Sequence, residues 1–186
     1  LLASVSGAVT SIFIEGNDYL FHYKFIAPFA VEDLPFYILL GVLSALVSVY
    51  FNKMYFFIEG QFNRFNSRAH KMLVGSLALG LIIWIIPPLY GEGYETINHL
   101  LNSNIENIID QSLLFSYVQS EYMVIGLLLG LVLFKIFATS FTIGAGGVGG
   151  IFAPSLFVGS SMGYLFARLV NQIGFFSINT TNFSLI

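Results

Sequence analysis

Lys135-Ile136-Phe137-Ala138-Thr139-Ser140-Phe141-Thr142-Ile143-Gly144-Ala145-Gly146-Gly147-Val148-Gly149-Gly150-Ile151-Phe152-Ala153-Pro154-Ser155-Leu156-Phe157-Val158-Gly159 is the stretch on which the reading of this chain turns. An apolar run of helical character ends in the seven-residue tract Gly144 to Gly150, which holds five glycines. A second apolar run restarts at Ile151, with Pro154 in its first turn. The pattern predicts a hydrophobic segment broken part-way through.

Outward from that stretch, the composition sets the solvent. The 186 residues are 56% hydrophobic, 17% aromatic and 9% charged, and the mean hydropathy is +0.83. A soluble domain uses roughly 25% charged residues, so this is a membrane protein by composition. There is no cysteine, which excludes disulfides. A net charge of -3 with no dense basic patch argues against a nucleic-acid partner. The chain opens Leu1-Leu2-Ala3 and ends Asn182-Phe183-Ser184-Leu185-Ile186, and it is read as a piece of a longer sequence with no soluble domain of its own. Leu1 to Ile14 lacks a basic leader, so a signal peptide is not its better reading.

Five apolar runs stand out: Leu1 to Ile14, Leu34 to Ile58, Met72 to Tyr90, Met123 to Ile143 and Ile151 to Ile173. Roughly 20 helical residues cross the hydrocarbon, so all but the first are long enough. Lys53, Arg64, Arg68 and Lys71 gather between the second and third runs. The segment Glu15 to Asp33 has only Lys24, and Gly91 to Tyr122 has no Lys or Arg. The positive-inside tendency then puts the basic loop in the cytoplasm and the other two outside. Run four arrives near the cytoplasmic side, and run five restarts from the glycines and heads outward. Within the outer segment, Tyr94 to Leu101 and Ile105 to Leu114 read either as short interfacial helices or as a polar loop with helical turns. Gly41 with Ala45, Gly126 with Gly130, and Gly159 with Gly163 are each four apart, a spacing that lets helix backbones approach closely in lipid.

Several motifs fail on context. Gly144 to Gly149 spells G-x-G-x-x-G, yet a membrane-length helix precedes it and no Asp or Glu follows Glu121, so a dinucleotide site is rejected. No Lys-Ser/Thr pair follows the tract, so it is no P-loop. Gly159-Ser160-Ser161-Met162-Gly163 spells G-x-S-x-G, but it lies within a continuous apolar run instead of a strand-to-helix turn, and helix packing explains it. His22, His70 and His99 are scattered through predicted loops without metal-ligand spacing. No catalytic residue, metal or cofactor is expected.

Lys135 stands near the middle of run four, where a cation costs about 2.5–3.5 kcal/mol on insertion scales and therefore faces protein or water. Two roles are open to it: a source of positive potential for an anion pathway, or a partner for backbone carbonyls or for an acid elsewhere. The glycine tract also has two readings, a flexible turn or a ligand site. Five glycines at the membrane edge lose much backbone entropy and leave amides unpaired unless something uses them. Proline suits a first helical turn, so the helix starts at about Ile151. The amides of Gly150, Ile151, Phe152 and Ala153 are then orphan donors at the positive end of a helix dipole. Half a charge about 4 Å from an anion, at an effective dielectric of about 20, is worth roughly 2 kcal/mol. That helps to dehydrate a halide without trapping it, and broken helices recur in transporters for this purpose.

Thr139 to Gly163, centred on Gly150-Ile151-Phe152-Ala153-Pro154, closely resembles the G-x-F-x-P signature of the CLC chloride channels and chloride/proton antiporters. Gly91-Glu92-Gly93-Tyr94-Glu95-Thr96-Ile97 resembles the stretch that follows a membrane helix in bacterial members, and Leu34 to Asn52, with Gly41, fits the family's long central helix. The resemblance implies an all-α, polytopic membrane helix bundle with a broken, re-entrant helix, forming part of an inverted-repeat fold. Residues 1–186 would be a fragment of one transmembrane domain, about the helices lettered I to N and the start of O. It further implies that the amides of Ile151 and Phe152 coordinate chloride and that the Phe152 ring lines the pathway. Gly150 and Ala153 are candidates for the same shell.

The family's G-S-G-I-P and G-K/R-E-G-P signatures, its proton-feeding acidic pair and its later tyrosine are not in these residues, and Tyr164 does not take that tyrosine's place. The expected partners are chloride or a similar anion, the lipid bilayer, the remainder of the same chain and a second copy in a homodimer, with Leu1 to Ile14 near the subunit interface. The expected setting is the inner membrane of a bacterial cell. An assembly module, or a transporter of another anion, is the alternative.

Overall fold

A computed structural model of the chain describes residues 2–16, 30–112, 120–174 and 176–185. His22, Lys24 and the end of the second amphipathic stretch at Leu113 and Leu114 lie outside them. The elements are α1 (Leu2–Glu15), α2 (Leu34–Phe62), α3 (Arg68–Ile85), α4 (Tyr94–Leu101), α5 (Ile105–Asp110), α6 (Glu121–Gly144), α7 (Phe152–Ile173) and α8 (Thr180–Leu185). Among the described residues every regular element is helical, so the chain is an all-α bundle.

By length and composition α2, α3 and α6 can each cross a membrane. The 22 residues of α7 match them in length but not in apolarity. Its serines, Arg168, Asn171 and Gln172 place polar groups along a helix with one buried and one exposed side. In lipid such groups turn toward protein, and Ser160 and Ser161 are buried accordingly.

Proline and glycine decide where the helices end. Pro35 stands in the first turn of α2, where a missing N–H is no loss. The expected run from Met72 to Tyr90 is not one helix. Pro87 and Pro88 lack the N–H that would continue it, and proline pushes the preceding residue out of the helical region. Ile86 accordingly sits at φ -129 and ψ 78, and a 3-10 turn, Pro87–Leu89, follows. The basic residues expected in a loop are mostly on helix ends: Lys53 lies within α2, while Arg68 and Lys71 open α3. Only Arg64 is in the connection.

The centre of the bundle is an antiparallel pair, α6 against α7. Arg168 of α7 reaches Glu121 at the start of α6 at 3.1 Å. Tyr164 and Leu165 pack with Leu127, Leu128 and Leu131, and Val158 packs with Val132 and Ile136. Both amphipathic stretches are helical, as α4 and α5, but they do not lie flat on a surface. Ile97, Leu100, Leu101, Ile105 and Ile108 insert into the same cluster as Leu127 and Phe157.

The small-residue spacings turn out unequal. A Cβ on Gly41, Gly126 or Gly159 meets nothing within 4 Å, and one on Gly130 meets only Ile86 Cδ1 at 3.7 Å and Phe134 Cδ2 at 4.0 Å. On Gly163 it collides with the carbonyl oxygen of Phe183, because α8 crosses α7 there with backbone against backbone.

Asn171 anchors the return of the chain into α8, taking the Ile178 amide on Oδ1 at 2.7 Å and giving Nδ2–H to the Ile178 carbonyl at 2.9 Å. Asn171→Leu is expected to lower stability by about 1–3 kcal/mol, since it strands two backbone groups. Hydrogen exchange at the Ile178 amide is the check, and unchanged protection there would refute the assignment.

Candidate functional site

The glycine tract closes α6 with three bonds: Ala145 N–H to Phe141 O, Gly146 N–H to Ile143 O and Gly147 N–H to Thr142 O, each at 2.9 Å. Gly146 makes the turn at φ +93, a conformation that favours glycine. From Val148 to Ala153 no amide meets a backbone or side-chain acceptor among the described residues. The first bond of α7 is Ser155 N–H to Ile151 O at 3.0 Å. Ile151 is the N-cap at φ -86 and ψ -16, so the helix begins one residue later than expected, with the same free amides. Gly150, Ile151, Phe152 and Ala153 are therefore brought together as one row of donors at the start of a 22-residue helix.

The break lies within the bundle's length and not beyond it. A Cβ on Gly75 would collide with that of Ala145, the residue just after α6, and Gly75 is seven residues into α3, or ~10 Å. On the other side Ile151 shares a cleft with Asn52, and α2 continues for another ten residues, ~15 Å, to Phe62. The helix start is thus inset from the ends of both membrane-length neighbours.

Two clefts flank it. One, of about 380 Å³, lies between α2 and α7 and is lined by Ile151 and Ser155 opposite Ser44, Ser48 and Asn52. Those three polar residues recur every four positions along the apolar stretch from Leu34 to Asn52, a signal present in the sequence that no motif names. The other, of about 520 Å³, brings Gly149, Gly150, Phe152 and Ala153 together with Lys135, Thr139 and Thr142 of α6. Phe152 is 72% exposed and Ile151 43%, so the two residues present their side chains toward different clefts.

Lys135 is only 2% exposed. Its Nζ donates to Leu89 O at 3.1 Å and to Gly91 O at 2.8 Å, and it stands 4.6 Å from the centroid of the Phe157 ring. Of its two open roles, the structure shows the partner of backbone carbonyls. Which carbonyls these would be was not readable from the sequence, because they lie more than 40 positions away.

The rejected motifs stay rejected. Ser160 and Ser161 are inside α7, with Ser160 Oγ 2.7 Å from Ser184 Oγ, and no strand-to-helix turn exists there. Tyr164 is buried in the core. His70 and His99 are on helices and not in loops: His70 is exposed on α3, and His99 of α4 lies 3.7 Å from Glu95 and 3.5 Å from Asn107.

A family model described as voltage gated chloride channel matches residues 1–186. An uncharacterized protein of Methanocaldococcus jannaschii is 29% identical over 92% of this chain and 39% of its own length. A protein named H(+)/Cl(-) exchange transporter ClcA, of Vibrio cholerae, is 28% identical over 96% of this chain and 35% of its own. Chloride channel protein CLC-e of Arabidopsis thaliana is 28% identical over 91% of this chain and 23% of its own. The chain thus spans about a quarter to two fifths of the length of these relatives. No solved structure matches it.

Proposed function

Because the chain belongs to the voltage gated chloride channel family, we propose that it is part of an integral membrane protein that carries chloride across the bilayer. The observation that supports this is the row of unpaired amides from Val148 to Ala153 at the inset start of α7. In a low-dielectric interior an unsatisfied N–H costs free energy, and an anion satisfies several at once while the helix dipole favours its charge. On the resemblance to the family's G-x-F-x-P signature, Ile151 and Phe152 offer the coordinating amides, with Gly150 and Ala153 completing the shell. Glycine before Ile151 keeps side chains from crowding the ion.

The process is transport and makes or breaks no covalent bond, so no residue is assigned a catalytic role. Two of the relatives are named as an exchange transporter and a channel, and both modes need such a site. The remaining walls come from the rest of the same chain, and the protein works as a homodimer in which α1 lies near the subunit boundary. The described fragment alone does not conduct.

The test is anomalous bromide scattering from crystals of the full-length protein. Bromide beside the amides of Ile151 and Phe152 is expected. A well-diffracting bromide-soaked crystal with no anion at the start of α7 would sink the reading.

A further inference from the structure

Lys135 has three N–H donors and no carboxylate within bonding distance among the described residues. Two donors hold the carbonyls of Leu89 and Gly91, which belong to the turn that follows the prolines. The ammonium also lies over the Phe157 ring, whose negative face attracts a cation. Three separate pieces of chain meet at this one charge: the middle of α6, the Leu89–Gly91 turn and the second turn of α7.

The same turn touches α7 a second time. Gly93 has φ +90, and a Cβ there would fall on Cδ2 of Phe157 and within 2.8 Å of its Cε2. The ring is fully buried, held between the bare backbone of Gly93 and the Lys135 ammonium. Phe157 is five residues beyond Phe152, ~8 Å along the helix, so the height of its ring fixes the height of the free amides. The amides themselves have nothing to hold them, since no acceptor meets them.

We propose that Lys135, Gly93 and Phe157 form a buckle that positions the start of α7, with Lys135 as a positioning residue for the anion site and not a ligand in it. The inference rests on the anion-binding reading above and adds what holds that site in register. Two of the Lys135 donors are taken by carbonyls, and its contact with the Phe157 ring ties it to the placement of α7. Loosening the buckle lets the first turns of α7 slide or fray, and the amides then converge less well on one point.

The experiment uses the full-length protein with bromide as the probe. Bromide affinity is measured by calorimetry, and amide exchange over residues 152–158 is measured without anion. Lys135→Met is expected to weaken bromide binding ~10-fold or more, on the scale of one lost charge-assisted hydrogen bond, and to speed exchange at the start of α7. Lys135→Arg, which keeps the charge and the donors, restores both. Gly93→Ala should weaken binding comparably, since the new methyl displaces the Phe157 ring and the left-handed φ of Gly93 disfavours any side chain. Unchanged affinity and exchange in Lys135→Met, or a lowered melting temperature with unchanged affinity in both Lys135→Met and Gly93→Ala, would overturn the buckle. A wild-type protein that binds no bromide overturns the anion reading instead, and the exchange data still judge the buckle.

Discussion

Phe152→Pro in the full-length protein is expected to lose anion affinity by ~10- to 100-fold, which corresponds to the 1.5–3 kcal/mol of a hydrogen bond to a charged group. The substitution removes one N–H and an exposed ring, and it also presses on Ile151, whose helical φ and ψ a following proline disfavours. Phe152 is the first helical residue of α7, a position that proline accepts, and its amide makes no bond that the fold would miss. Pro154 already follows a helical Ala153 two residues later, so this turn tolerates the ring. Phe152→Ala is the paired control. It deletes a ring that is 72% exposed but keeps the amide, and affinity is expected to stay within about threefold, a fraction of one hydrogen bond. Calorimetry with bromide on both variants decides the matter. Equal affinity for wild type and Phe152→Pro would place the anion elsewhere.

Gly163→Ala is expected to be the most damaging single methyl in the chain, at about 3 kcal/mol or more. The added Cβ lands on the Phe183 carbonyl oxygen and lies 2.7 Å from its carbon, so no side-chain rotation relieves it. The backbone of α8 has to move. With it go the Ser160–Ser184 hydroxyl contact at 2.7 Å, the Thr181 Oγ1–H bond to Leu101 O at 3.0 Å and the stacking of Tyr37 on Phe183. Gly159→Ala is the same change one turn earlier, where a Cβ meets nothing. There the better helix propensity of alanine should leave stability unchanged or raise it by up to ~1 kcal/mol. Denaturant unfolding in detergent separates the two, and similar midpoints for both variants would contradict the packing described for α8.

The contrast between Gly159 and Gly163 shows where reading by pattern stops. Spacing identified both as small residues on one helix face, and it said the same of Gly41 and Gly126. Only the course of the chain after Ile173 reveals that one of them carries a backbone crossing. Lys135 is a similar case. The cost of a cation in hydrocarbon announced that it must find partners, but Leu89 and Gly91 became its partners only because Pro87 and Pro88 end α3 and turn the chain back along α6.

The row of donors at Gly150, Ile151, Phe152 and Ala153 was legible because it is local. Glycines end one helix, a proline opens the next, and the first turn of any helix has free N–H groups. Whole-chain composition also indicated the membrane setting, the resemblance implied the all-helical class, and most helix limits followed from neighbours within a few residues. The tertiary structure alone decided that the free amides lie inset between α2, α3 and α6, that α4 and α5 insert into the core, and that a buried ammonium and a bare glycine grip the Phe157 ring. Those are contacts between separate elements of the chain, such as Lys135 and Gly93 against Phe157, and their geometry depends on how whole helices pack, which no local pattern encodes.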